Sequence, residues 1–203
     1  MARTVNLSGK DVKKSENTGF APLPAGKYNV SVFDLEESEY KSPNNKGKPM
    51  LRLQLRVSDG QKGANRRLFT NLGDFPYWGK KDGSGEDGSP NFLYFQFYKA
   101  LGVVFPSKDE EDEVEVSLPD LDEIEGATLA VKVKIVNDDY AYKKAQEAWI
   151  EAKDAAEAKG KPFTEEQPEQ GDFLRNEVAE FLPEIDADDL ADEQGGGSDE
   201  FDL

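Results

Sequence analysis

In the stretch "PMLRLQLRVSDG", Leu51, Leu53, Leu55 and Val57 alternate with Arg52, Gln54 and Arg56, and Asp59-Gly60 closes the run. Side chains of a strand point alternately to its two faces, so one face of this segment must be buried and the other wet. No other part of the chain alternates so cleanly. It commits the protein to a sheet with a leucine-lined inner side and an arginine-bearing outer side.

The neighbouring segments supply partners for that strand. "KYNVSVFDLEESEYK" places Tyr28, Val30 and Val32 in alternation, after the Pro/Gly punctuation of "APLPAG". "SPNNKGK" (Pro43, Asn44, Asn45, Gly47) has turn chemistry and joins the two segments. A third strand is expected at about residues 65–72, a fourth in "ATLAVKVKIVND" with Leu129, Val131, Val133 and Ile135 on one face, and a fifth around residues 172–181. Between the third and fourth, "NFLYFQFYKALG" spaces Tyr94, Phe97, Tyr98 and Leu101 as one helical face. Ser89-Pro90 is the expected N-cap and first position, and Gly102 the terminator. The helix is apolar almost all round and is expected to be buried.

Around these elements lie a polar N-terminal arm (1–24), an acidic linker (107–125), an Ala/Glu/Lys-rich helical insertion (138–160) and an acidic tail (184–203). The insertion's apolar face is thin: Tyr142, Ala145, Trp149, Ala152 and Ala156. The tail holds nine acids, no base and a glycine run, a composition expected to be disordered. The fold class is therefore mainly β, over residues 25–183. Five strands with a helix between the third and fourth is the element order of an OB-fold barrel, and another small barrel or a sandwich would also accommodate it.

Composition removes many functions. Cysteine and histidine are both absent, so there is no disulfide, thiolate metal site, cysteine nucleophile, Ser-His-Asp triad or histidine-bound metal. Nothing calls for a cofactor. The N-terminus lacks an apolar leader and no run approaches a membrane span, so no membrane association is expected. The net charge of −17 is uneven: residues 1–106 hold 16 Lys+Arg against 11 Asp+Glu, and residues 107–203 hold 9 against 31. A mildly basic body thus carries acidic additions.

That body concentrates its bases and aromatics in "RRLFTNLGDFPYWGKK". Arg66, Arg67, Lys80 and Lys81 surround Phe69, Phe75, Tyr77 and Trp78, with Asp74 the only acid. Single-strand binders combine cations along the phosphates with aromatic faces on which bases stack. If Leu68 and Leu72 face the core, Arg67, Phe69 and Asn71 share the outer face with Arg52, Gln54 and Arg56. Lys48, Arg52, Arg56, Arg66, Arg67, Phe69, Phe75, Tyr77, Trp78, Lys80 and Lys81 are then the candidate nucleic-acid contacts. The competing reading makes Phe69 and Phe75 core and the cations mere solubilisers.

Other motifs fail on inspection. "GSGEDG" matches a dinucleotide fingerprint by letter, but it follows lysines in a polar loop and no βαβ unit surrounds it. Gly73 to Lys80 has one residue too many for a phosphate loop, and Lys81 stands where a hydroxyl is needed. A calcium loop from Asp82 fails because Asp87 replaces the glycine and Leu93 the bidentate glutamate. The acid runs lie in linker and tail, whereas a two-metal nuclease needs carboxylates on rigid elements.

"LPAGKYNVSV", "KGKPMLRLQLRVSDG", "RRLFTNL", "FQFYKALGV" and "RNEVAEFLP" together resemble the single-stranded DNA-binding proteins encoded by tailed bacteriophages. The resemblance implies an OB-fold, no enzymatic activity, and a role coating single strands in phage replication, recombination or repair. It implies recruitment of replication and recombination enzymes through the tail's end, Asp199, Glu200, Phe201, Asp202 and Leu203, in the cytoplasm of a bacterial host. Assembly into a homo-oligomer is compatible with such a body. The chain departs from the bacterial pattern in its long insertion and in ending Phe-Asp-Leu rather than Pro-Phe. The alternative function is an acidic mimic of DNA that occupies a partner's nucleic-acid site, although mimicry would place the acids on the body.

Overall fold

A computed structural model describes residues 21–42, 45–78, 88–106 and 114–190. Its described residues divide into two compact units, one within residues 24–135 and 176–190 and the other within residues 21–23 and 136–175. Its strands are β1 (Gly26–Glu39), β2 (Pro49–Val57), β3 (Arg67–Gly73), β4 (Thr128–Asn137) and β5 (Leu174–Leu182). They form one mainly antiparallel, five-stranded sheet in the order β3-β2-β1-β4-β5.

Alternation sets the faces as the sequence predicts. Tyr28, Val30 and Val32 of β1, Leu51, Leu53, Leu55 and Val57 of β2, and Leu68 and Leu72 of β3 are all buried, as are Leu129, Val131 and Val133 of β4. Ile135 departs from this pattern and is exposed, because the β1 partner strand ends opposite Val133.

β1 is the long strand, and it serves two neighbours. Gly26–Ser31 pair with β4, and the ladder is extended by Val32, whose N–H donates to the Ala127 carbonyl at 2.9 Å. Val30–Glu39 pair with β2, with a register shift between Val32 and Asp34. Phe33 is the extra residue of this bulge. It marks the point where β1 leaves β4, and such an insertion bends and twists the strand that carries it. Beyond the bulge the apolar phase resumes one residue late, at Leu35 opposite Leu53.

The helix after β3, α1 (Phe92–Ala100), buries Tyr94, Phe97 and Tyr98 while Phe92 stays exposed, so it presents one inner face rather than being enclosed. Its N-cap is Asn91, two residues later than the expected Ser89, and Pro90 instead bridges Tyr77. The reason is chemical. The Asn91 side chain is buried, accepts from the Tyr94 N–H at 3.4 Å, and donates to the carbonyls of Gly73 (2.9 Å) and Phe75 (3.0 Å). One amide thus caps the helix and pins the exit of β3, which a serine hydroxyl could not do. Phe97 packs against Phe181 of β5, with ring centroids 5.1 Å apart, and the Gln96 side chain accepts from the Phe181 N–H at 3.4 Å. A single helical turn, α2 (Leu121–Ile124), buries Ile124 within what composition shows as an acidic linker.

Residues 184–190, which composition assigns to a disordered tail, are folded against the sheet. Asn29 donates to the Ile185 carbonyl at 2.6 Å and accepts from the Ile185 N–H at 3.0 Å, a helical turn follows, and Leu190 is buried. The two apolar side chains and the Asn29 amide outweigh the acidic composition there. Residues 191–203, with the tail's end, lie outside the described residues.

In the second unit, α3 (Asp139–Ala158) is capped by the Asp138 carboxylate, which accepts from the Ala141 N–H at 3.0 Å, and it buries no residue. Trp149 packs on Phe163 at 5.5 Å and donates to the Glu165 carbonyl at 3.0 Å. Among the described residues, no helix is long and apolar enough to cross a membrane.

Candidate nucleic-acid interface

The outward residues of β2 and β3 come into register as rows. Arg52 faces Asn71, Gln54 faces Phe69 and Arg56 faces Arg67. Arg52, Arg56, Arg67, Phe69 and Asn71 are all exposed, and Phe69 is 65% accessible. β1 continues the rows, with Glu36 beside Arg52, Asp34 beside Gln54 and Ser31 beside Arg56. So the expected juxtaposition of Arg52, Gln54, Arg56, Arg67, Phe69 and Asn71 holds, and Phe69 is surface rather than core.

Hydrogen bonds tie the face together. Arg67 Nη1 donates to Gln54 Oε1 (3.2 Å), and Gln54 Nε2 donates to Asp34 Oδ2 (3.2 Å). Arg52 Nη1 pairs with Glu36 Oε2 at 3.3 Å, in an exposed ion pair. The central feature is Phe33. Its ring lies under two cations, with the Arg67 guanidinium carbon 4.3 Å and that of Arg56 5.6 Å from the ring centroid. Like charges directly opposite on adjacent strands repel. The electron-rich face of an aromatic ring offsets that repulsion.

Phe33, Asp34 and Glu36 are the members of this face that the alternation pattern does not pick out. The usable signal is the phase slip between Val32 and Leu35, which announces a bulge and therefore two consecutive outward residues, Phe33 and Asp34.

The other expected contacts separate into different settings. Phe75 and Trp78 are half-buried against each other, edge to face at 4.6 Å, and Tyr40 from the β1–β2 connection closes the group at 6.2 and 5.9 Å. Lys48 Nζ stands 4.9 Å from the Phe75 ring centroid. Tyr77 is exposed and contacts Phe95 of α1 at 6.1 Å. Arg66 is only half-exposed, and its charge acts on Tyr28: burial raises that phenol's pKa and Arg66 partly lowers it. Lys80 and Lys81 lie outside the described residues, as do Asp199, Glu200, Phe201, Asp202 and Leu203.

Behind the face, Tyr98 donates its hydroxyl proton to Asp74 Oδ1 at 2.8 Å. Burial, and then that carboxylate, push the phenol pKa far above its ordinary value. Gly73 lets Phe75 and Asn91 approach its backbone closely. A Cβ on it would stand 2.9 Å from Phe75 Cζ and 3.0 Å from Asn91 Nδ2, closer than side chains pack. The site therefore consists of a fixed sheet face with a braced aromatic corner.

Residues 10–84 match the family model described as "Protein of unknown function (DUF669)". The matched span includes β1, β2 and β3, and so the whole of the arginine and phenylalanine face. No curated protein matches the chain.

Proposed function

We propose that this chain is a non-enzymatic binder of single-stranded DNA, with the outer face of β1–β3 as the contact surface. The observation that carries the reading is the in-register pair Arg56 and Arg67 over Phe33, next to the exposed ring of Phe69. Two guanidinium groups held together on a surface suit the phosphates of a strand, and an exposed ring beside them offers a place for a base. An unpaired strand of nucleic acid presents phosphates and free base faces in that combination along its length.

The architecture supports the same reading. The order β3-β2-β1-β4-β5 is what a five-stranded Greek-key barrel yields when followed from β3 round to β5, and α1 touches both of those end strands. An OB-fold carries oligonucleotides on strands 2 and 3, where the arginine rows lie here. On the resemblance to phage-encoded proteins, the chain coats single strands during replication and recombination in a bacterial cell, and its acidic C-terminus recruits partner enzymes.

Replacing Arg56 and Arg67 by Gln tests the surface. Binding to an oligo-dT strand should weaken, and the slope of log affinity against log salt should fall by about 0.7 for each lost phosphate contact. Weaker binding with an unchanged slope would make these arginines structural, and the surface would have to be sought elsewhere.

A further inference from the structure

We infer that Phe33 is a base-stacking seat that Arg67 covers in the free protein, and that Arg67 passes from the ring to a phosphate when a strand binds. This rests on the single-strand reading above and adds to it a named seat and a built-in occupant.

The ring is placed for this by the bulge. Phe33 is the unpaired residue between the Val32–Leu55 and Asp34–Gln54 partners, and it is 38% accessible. It therefore stands on the outer face without belonging to a cross-strand row, at the corner where β1 bends away from β4. The surface around it is fixed, since its backbone neighbour Val32 is fully buried.

Arg67 lies over that ring at 4.3 Å from the centroid and is steered by one chain of hydrogen bonds, Arg67 to Gln54 to Asp34. The Gln54 amide is oriented by donating to Asp34, so its oxygen is presented to Arg67. Every group in the chain is on the surface, so the hold is weak. A cation over an exposed ring is worth a factor of about two to five in an equilibrium. A base stacked on an aromatic side chain is worth about five to a hundred or more. The base wins the ring. The displaced guanidinium then stands within one side-chain length of the strand's phosphates, and contact there releases a counterion. Arg56 stands farther out over the same ring, 5.6 Å from its centroid.

The exchange separates base contacts from phosphate contacts, and two probes of equal length read them separately: oligo-dT and an abasic deoxyribose-phosphate strand. In the full chain, Phe33→Leu should weaken oligo-dT binding about tenfold and leave abasic binding within twofold. Phe33→Tyr should keep wild-type affinity for both, which excludes a purely structural role for the ring. Arg67→Gln should weaken oligo-dT binding and lower its salt slope by about 0.7, and should leave abasic binding within twofold, because without a base Arg67 stays over the ring. Loss of both probes in Phe33→Leu, or undiminished oligo-dT binding, would overturn the seat. An Arg67→Gln loss on oligo-dT with an unchanged salt slope would overturn the exchange, since the base would then be stacking on the guanidinium itself. An equal loss on the abasic strand would overturn it too, since Arg67 would then reach phosphate with no base to displace it. If the wild-type chain binds neither probe, the single-strand reading fails and the seat fails with it. Normal wild-type binding with an indifferent Phe33→Leu removes the seat alone.

Discussion

Asn29 and Ile185 form a reciprocal pair, in which the Asn29 side-chain amide donates to the Ile185 carbonyl at 2.6 Å and accepts from the Ile185 N–H at 3.0 Å. Asn29 is itself held on its backbone by Gln61, whose side chain accepts from the Asn29 N–H (2.9 Å) and donates to the Asn29 carbonyl (3.0 Å). The first strand thus fastens the chain that leaves the last one. Leu190 is buried five residues further on.

This pair ties residues 184–190 to the body. A chain cut after Leu190 should be more stable than one cut after Pro183 by about 2–4 kcal/mol. Burying a leucine contributes about 1.5–3 kcal/mol, and an orphaned buried amide costs about 1–3 kcal/mol. Denaturant midpoints of the two truncations check this, and equal midpoints would show that residues 184–190 contribute nothing.

Asn91 carries three polar contacts from one buried side chain. Asn91→Ala should destabilise by about 2–3 kcal/mol, combining a lost helix cap with two carbonyls left unmatched. Gly73→Ala should also destabilise, because its Cβ would press on Phe75 and Asn91. Both should weaken ligand binding only in proportion to unfolding, measurable by comparing binding at a temperature where each variant is still folded.

Glu36 shares its row with Arg52 and pairs with it at 3.3 Å. Exposed pairs are worth little, about 0.2–1 kcal/mol. Glu36→Gln should accordingly leave stability unchanged and tighten single-strand binding about two- to threefold at low salt, with the gain vanishing as salt rises. A fluorescence titration at two salt concentrations measures it.

The pH dependence of stability should lie on the alkaline side. Tyr98, Tyr94, Tyr40 and Tyr28 all have phenol pKa values raised first by burial, and Asp74 raises those of Tyr98 and Tyr94 further. Above about pH 10 the unfolded chain loses these protons while the folded chain retains them. The unfolded state then binds fewer protons, so stability falls with rising pH, and Tyr98, the most strongly shifted of the four, contributes most. Below the ordinary phenol pKa the contribution is fully present. With no histidine in the chain, binding should be nearly flat between about pH 6 and 8. Thermal melts from pH 7 to 11, repeated on Tyr98→Phe, test the sign: the variant should lose part of the alkaline decline.

The sheet was legible in the sequence because burial on one face imposes period two, and Leu51 to Val57 and Leu68 to Leu72 show it directly. The outer face follows from the same parity, which puts Arg52, Arg56, Arg67 and Phe69 on one side. Phe33 was not legible as a site residue, since a bulge is a change of phase and only Leu35 after Val32 records it. The aromatic corner was misleading in another way. Composition shows four aromatics among cations, but whether Phe75 and Trp78 meet a strand or each other depends on Tyr40, contributed from a distant turn. Local charge likewise concealed the Asn29–Ile185 fastening, which is a contact across the length of the chain.

The central claim is that the face of β1–β3 holds a single strand. Its most direct test is a titration of the full chain with an oligo-dT strand and, in the same buffer, with a duplex of equal length. Saturable binding to the single strand that is much tighter than to the duplex, and that weakens steadily with salt, is the predicted result. Equal affinity for the two, or no binding to either, would contradict it.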